Sequence, residues 1–94
     1  MRNYELTLVL RPSLTEDARE KILKKIEKLV EETKGKAEPP VLWGKKVLAY
    51  PIKKEKEGVY TFFSLSLEGG ETLPLERKIR MEEGILRHLL VRKN

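Results

Sequence analysis

No cysteine occurs anywhere in the 94 residues, which excludes disulfides and thiolate chemistry. One histidine, His88, is too few for a histidine-based metal cluster, so neither a metal nor a cofactor is expected. Long apolar runs are missing as well. The N-terminus, Met1-Arg2-Asn3-Tyr4-Glu5-Leu6, has no extended apolar segment, and no uncharged stretch approaches membrane-spanning length. The expectation is a soluble, cytoplasmic protein with no membrane partner.

Charge is what the chain has in quantity. Charged residues are 37% and hydrophobic residues 39%, so the composition is globular with a densely ionic surface. Length leaves room for one domain over residues 1–94, built on one core. Lysine and arginine number 20 against 15 acidic residues, net +5. A small basic domain suits a polyanion, of which nucleic acid is the commonest, although heat adaptation also raises lysine and glutamate together.

The stretch Val41–Leu67 organises the rest and reads as a β-hairpin. Its first arm runs to Ile52, a charged loop spans Lys53–Gly58, and the second arm is Val59–Leu67. Pro51 has no N–H for a ladder and places the first arm at a sheet margin. The second arm is free of breakers and rich in β-branched and aromatic residues, as an interior strand should be.

Before the hairpin, Tyr4–Leu10 alternates apolar and other residues, which marks a half-buried strand ended by Pro12. Ser13 and Thr15 are both candidate N-caps, and Ser13 with Glu16 has capping-box spacing. Ala18, Ile22, Ile26, Leu29 and Val30 then recur at helical spacing to about Lys34, with Gly35 as the C′ residue. Lys21, Lys24, Lys25 and Lys28 form that helix's solvated face. After the hairpin, Glu68–Glu71 is a turn, and Pro74 opens a second helix capped by Thr72 or Leu73 and running to about Glu83. Gly84 ends it, and Ile85–Val91 makes a last strand before the basic end Arg92-Lys93-Asn94.

Strand, helix, strand, strand, helix, strand is the split β-α-β, or ferredoxin-like, α+β order. It implies a four-stranded antiparallel sheet with both helices on one face, the first and third strands inside and the others at the margins. Leu6, Leu8, Ile26, Val30, Phe63, Leu65, Leu75 and Ile79 are the expected core.

Three motifs resemble the bacterial small-subunit ribosomal protein six family. They are Met1-Arg2-Asn3-Tyr4-Glu5, the block Trp43–Ile52 with its Leu48-Ala49-Tyr50-Pro51-Ile52, and Ile79-Arg80 followed by Ile85 and Arg87. Lys46 stands where the family often has arginine. The resemblance spans nearly the whole chain. It implies a structural, non-enzymatic constituent of the small subunit that is a monomer outside the ribosome. Its implied partners are the central domain of small-subunit ribosomal RNA and ribosomal protein eighteen. Many members continue into an acidic C-terminal tail; this sequence stops at Asn94, and no tail function is expected.

Arg2, Lys45, Lys46, Arg80, Arg87, Arg92 and Lys93 are the candidate RNA contacts. Lys45 and Lys46 lack the planar fork that arginine offers a phosphate. Val41, Leu42, Trp43, Lys46 and Tyr50 form the candidate partner site along the marginal strand, with Trp43 as hydrophobic anchor or else as a plug sealing the core. The competing reading is a single-stranded RNA module that stacks bases on Tyr60 and Phe62. It is weakened because the first strand offers only Glu5, Thr7 and Val9 on the same face. Catalysis is not expected: Arg11-Pro12-Ser13 is no glycine-rich cradle, and His88 has no evident carboxylate partner.

Overall fold

In the computed structural model, which describes residues 1–93, β1 (Arg2–Leu10) runs through the interior of one antiparallel sheet. Asn94, the last residue of the expected basic end, lies outside the described residues. After β1 come α1 (Glu16–Glu32), β2 (Lys36–Ala37), β3 (Val41–Ile52) and β4 (Glu55–Leu67). A 3-10 turn at Gly69–Glu71 then leads into α2 (Thr72–Arg80) and β5 (Ile85–Lys93). β4 and β1 are interior, β5 forms one margin, and β2 and β3 share the other by pairing with different stretches of β4. This is the ferredoxin-like arrangement with a fifth, two-residue strand in place of the expected four. Pro39 and Pro40 explain the division: neither has an N–H, so the ladder breaks between β2 and β3.

The alternation in β1 and β4 decides which face is covered. Tyr4, Leu6, Leu8 and Leu10 are buried together with Val59, Phe63, Leu65 and Leu67. They form one cluster with Ile22, Ile26 and Val30 of α1 and Leu75 and Ile79 of α2, so both helices lie on that face. Fully burying one such side chain contributes roughly 1.5–3 kcal/mol. Among the described residues, no helix lies on the opposite face.

Several element ends differ from the sequence expectation. Of the two candidate caps, Thr15 is the one that caps α1, its Oγ1 accepting from the Ala18 N–H at 3.1 Å, and the Ser13 capping box does not form. The helix stops at Glu32, and Lys34, not Gly35, takes the left-handed backbone with φ 63°. Gly35 is needed for space instead, since a Cβ there would lie 2.5 Å from the Ser66 carbonyl oxygen. Pro74 is the third residue of α2, where an N–H would have no helical partner anyway. That helix ends at Arg80, before Glu83, because Met81 and Glu82 turn tightly and donate to the carbonyls of Lys78 and Ile79.

The hairpin is longer than expected, and its loop is shorter. Glu55–Gly58, read as loop, belongs to β4, and only Lys53-Lys54 turns, with φ 49° and 70°. Two consecutive positive φ values match the strand twist across a two-residue turn. The arm runs past the end of β1 and folds back over the uncovered face. Arg11 Nη1 meets Glu55 Oε2 at 3.3 Å, and Lys53 Nζ donates to the Ile85 carbonyl at 3.3 Å. Val9 is consequently buried although its parity points it away from the helices. Gly58 passes so close to Val9 Cγ1 that a side chain there would collide with it.

Candidate functional site

The sheet register sorts the uncovered face into bands. Lys36, Ser66, Asn3 and Lys93 fall opposite one another and cross the sheet as one row. Its middle is polar, Ser66 Oγ donating to Asn3 Oδ1 at 2.9 Å, and each margin carries an ammonium. The next row holds Ser64, Glu5 and Val91, with the Glu38 N–H bound to the Ser64 carbonyl at 2.9 Å. Glu5 Oε1 lies 3.4 Å from Lys93 Nζ.

Apolar residues come next. Val41, Phe62, Thr7 and Leu89 share a row. A register shift between Leu42 and Gly44 frees Trp43 from the ladder, and its ring packs on Phe62 with centroids 4.6 Å apart. Lys46 Nζ sits 5.1 Å from the Trp43 ring centroid, a cation–π distance. Gly44, Tyr60, Val9 and Arg87 make the last row, and Arg87 Nη1 donates to the Tyr50 hydroxyl at 3.0 Å.

The seven basic candidates are not gathered in one place. Arg2, Arg92 and Lys93 lie at the end of the sheet where β1 begins and β5 finishes. Lys45 and Lys46 stand midway along β3, Arg87 lies beside Tyr50 on the last row, and Arg80 closes α2 in the helical layer. Lys36, which was not among the sequence candidates, stands at one end of the polar row. Its signal is the register that sets it opposite Ser66.

The partner candidates are also divided. Val41 and Trp43 belong to the uncovered face, whereas Leu42 is opposite Thr61, whose side chain points to the core. Trp43 is 60% exposed and therefore does not plug the core. Tyr50 rides on the folded-back arm, tied to Arg87. Of the two stacking candidates, Phe62 is half-buried against Trp43 and Tyr60 is half-buried between Gly44 and Val9. The β1 residues beside them, Thr7 and Val9, supply no ring.

Two expectations about isolated side chains change. His88 does have a carboxylate partner: its Nε2 and Glu76 Oε1 lie 3.1 Å apart, joining β5 to α2. The pair is 12 residues apart in sequence and meets only because the helix packs on the strand. Lys25, read as solvated, reaches Glu82 Oε2 at 3.1 Å, although it stays largely exposed.

An antiparallel sheet, helical on one side and banded by charge and aromatic rings on the other, defines a ferredoxin-like protein. Comparison with known proteins then narrows the class. The family model described as Ribosomal protein S6 matches residues 3–92, and the chain belongs to that family. It is 37% identical over 92 residues to small ribosomal subunit protein bS6 of Caldanaerobacter subterraneus subsp. tengcongensis, covering 98% of this chain and 97% of that one. Identity to the bS6 protein of Corynebacterium glutamicum is 39%, with the same coverages. The crystal structure of 30S ribosomal protein S6 from Thermotoga maritima superposes with a TM-score of 0.89 at 32% identity, covering 98% of this chain and 87% of that chain. These relatives are proteins of the small ribosomal subunit.

Proposed function

We propose that this protein, as a constituent of the small subunit, binds the central domain of the ribosomal RNA together with ribosomal protein eighteen. The row Lys36–Ser66–Asn3–Lys93, with Arg2 and Arg92 at the same end of the sheet, carries the reading. Ammonium groups at both ends of a hydrogen-bonded Ser–Asn pair suit phosphate oxygens, with Arg2 and Arg92 on the other face of the same sheet end, and neutralising phosphates releases condensed counterions. Lys45, Lys46, Arg80 and Arg87 serve as outlying contacts. Val41, Leu42, Trp43, Lys46 and Tyr50 meet the protein partner, Trp43 being the exposed aromatic that such interfaces favour.

The role is structural, in keeping with relatives named as ribosomal proteins. The chain acts as one domain, monomeric until it assembles, and a bacterial ribosome places it in the cytoplasm. The deciding experiment is a salt-dependent titration against central-domain RNA, with and without protein eighteen. Affinity should fall steeply with salt and rise when the partner is present. A salt-independent affinity, or no binding, overturns the reading.

A further inference from the structure

Glu5 stands on an interior strand, with the basic row on one side of it and the Phe62–Trp43 pair on the other. Glu5, Val41, Trp43, Phe62 and Ser64 line one shallow groove, apolar along its wall and acidic at one end. That combination repels phosphate. A purely apolar side chain entering there would gain nothing from the Glu5 carboxylate. A cation on an apolar stem satisfies both parts, and arginine does so better than lysine. Its planar fork accepts a carboxylate in two parallel hydrogen bonds, and its flat face packs on aromatic rings.

Lys93 now holds Glu5 at 3.4 Å, and the two side chains are 48% and 55% exposed. Water screens such a pair, and a two-pronged contact displaces it readily. Lys93 also ends the basic row, so its release returns an ammonium to the phosphate side of the face.

We propose that this groove receives an arginine side chain from the protein partner, exchanging Lys93 off Glu5 and freeing it for RNA. This rests on the partner reading above and narrows it to one subsite. The uncovered face is thus shared: phosphate lies across the Lys36–Lys93 row, and a basic protein segment lies beyond Glu5. Each ligand then strengthens the other through Lys93, and by linkage the coupling is equal in both directions.

Trp43 is the single tryptophan, so its fluorescence reads the groove directly. The full chain is titrated with N-acetyl-arginine amide and with the citrulline analogue, its uncharged isostere. A saturable change is expected for the arginine compound, at least about five-fold weaker for the citrulline compound and lost in Glu5→Gln. Equal responses to both compounds, or an undiminished response in Glu5→Gln, overturn the proposal. Affinity for protein eighteen is measured in parallel. Glu5→Gln should weaken it roughly ten-fold, as expected for loss of a charged hydrogen-bond partner, while Lys93→Ala should leave it equal or tighter. If the wild-type chain binds protein eighteen and Glu5→Gln binds as tightly, or Lys93→Ala binds more weakly, the groove proposal fails and the partner reading stands. If the wild-type chain does not bind protein eighteen, the partner reading fails, and the arginine titration alone decides the groove. Glu5 is exposed, so its substitution leaves the core intact.

Discussion

Arg87 hydrogen-bonds the Tyr50 hydroxyl at 3.0 Å, tying the last strand to a hairpin arm that sets out from the opposite margin of the sheet. With Arg11–Glu55 and the Lys53 contact to Ile85, it holds the arm down over Val9. Tyr50→Phe removes only the hydroxyl. An exposed neutral acceptor is worth at most about 1 kcal/mol, so global stability should barely change. Hydrogen exchange should instead quicken selectively at amides of residues 47–58. Unchanged protection there would show that the bond does not restrain the arm.

Lys53 and Lys54 both occupy left-handed backbone, φ 49° and 70°. That conformation costs a residue with a Cβ roughly 1–2 kcal/mol. Lys53 also uses its ammonium on Ile85, so Lys54 is the residue to change. Lys54→Gly should raise unfolding free energy by about 1 kcal/mol in denaturant melts, after the unfolded-state entropy of glycine is set against the relieved strain. A loss of stability would mean the turn is not of this type.

Phe63 and Trp43 should separate folding from binding. Phe63 is 1% exposed in the main core, and Phe63→Ala should cost on the order of 3–5 kcal/mol. Trp43 is 60% exposed and loses chiefly its contact with Phe62, worth about 0.5–1.5 kcal/mol. Trp43→Ala should nonetheless cost at least about 2 kcal/mol of affinity for protein eighteen if it is an interface hot spot. Thermal stability and partner affinity measured on the same sample test both halves. A large stability loss with unchanged affinity of the folded fraction would remove Trp43 from the interface.

Lys36 and Arg80 test where RNA lies. Lys36→Ala should flatten the salt dependence of RNA affinity by about one unit of slope for one phosphate contact, and Arg80→Ala, in the helical layer, should change it less. The reverse order would move the RNA from the sheet to the helices.

Patterns of period two or 3.6 made the core legible from sequence. Leu6, Leu8, Phe63 and Leu65 alternate along strands, and Ile26, Val30, Leu75 and Ile79 lie on helical stripes, so each predicted its own burial. Residues whose setting depends on another segment were not legible. Val9 has outward parity and is buried only because a distant arm folds back over it. Lys36 needs the register with Ser66, and His88 needs α2, before either acquires a partner. The Lys53-Lys54 turn was hidden because neither residue is the glycine or asparagine that normally signals it. The candidate site was read as a list of basic residues; the fold instead aligns Lys36, Ser66, Asn3 and Lys93, supplied by four strands, in one row.

β1 and β5 run antiparallel, and the pair Asn3–Lys93 lies at the end of that ladder nearest both extremities of the chain. A load drawn between Arg2 and Lys93 therefore pulls across the ladder rather than along it. The pairs separate in succession from Asn3–Lys93 toward Leu10–Ile85, each bearing the whole force alone. Traction on the two ends should peel this sheet open at low force, whereas traction between Arg2 and Ile85 would have to shear the whole ladder at once.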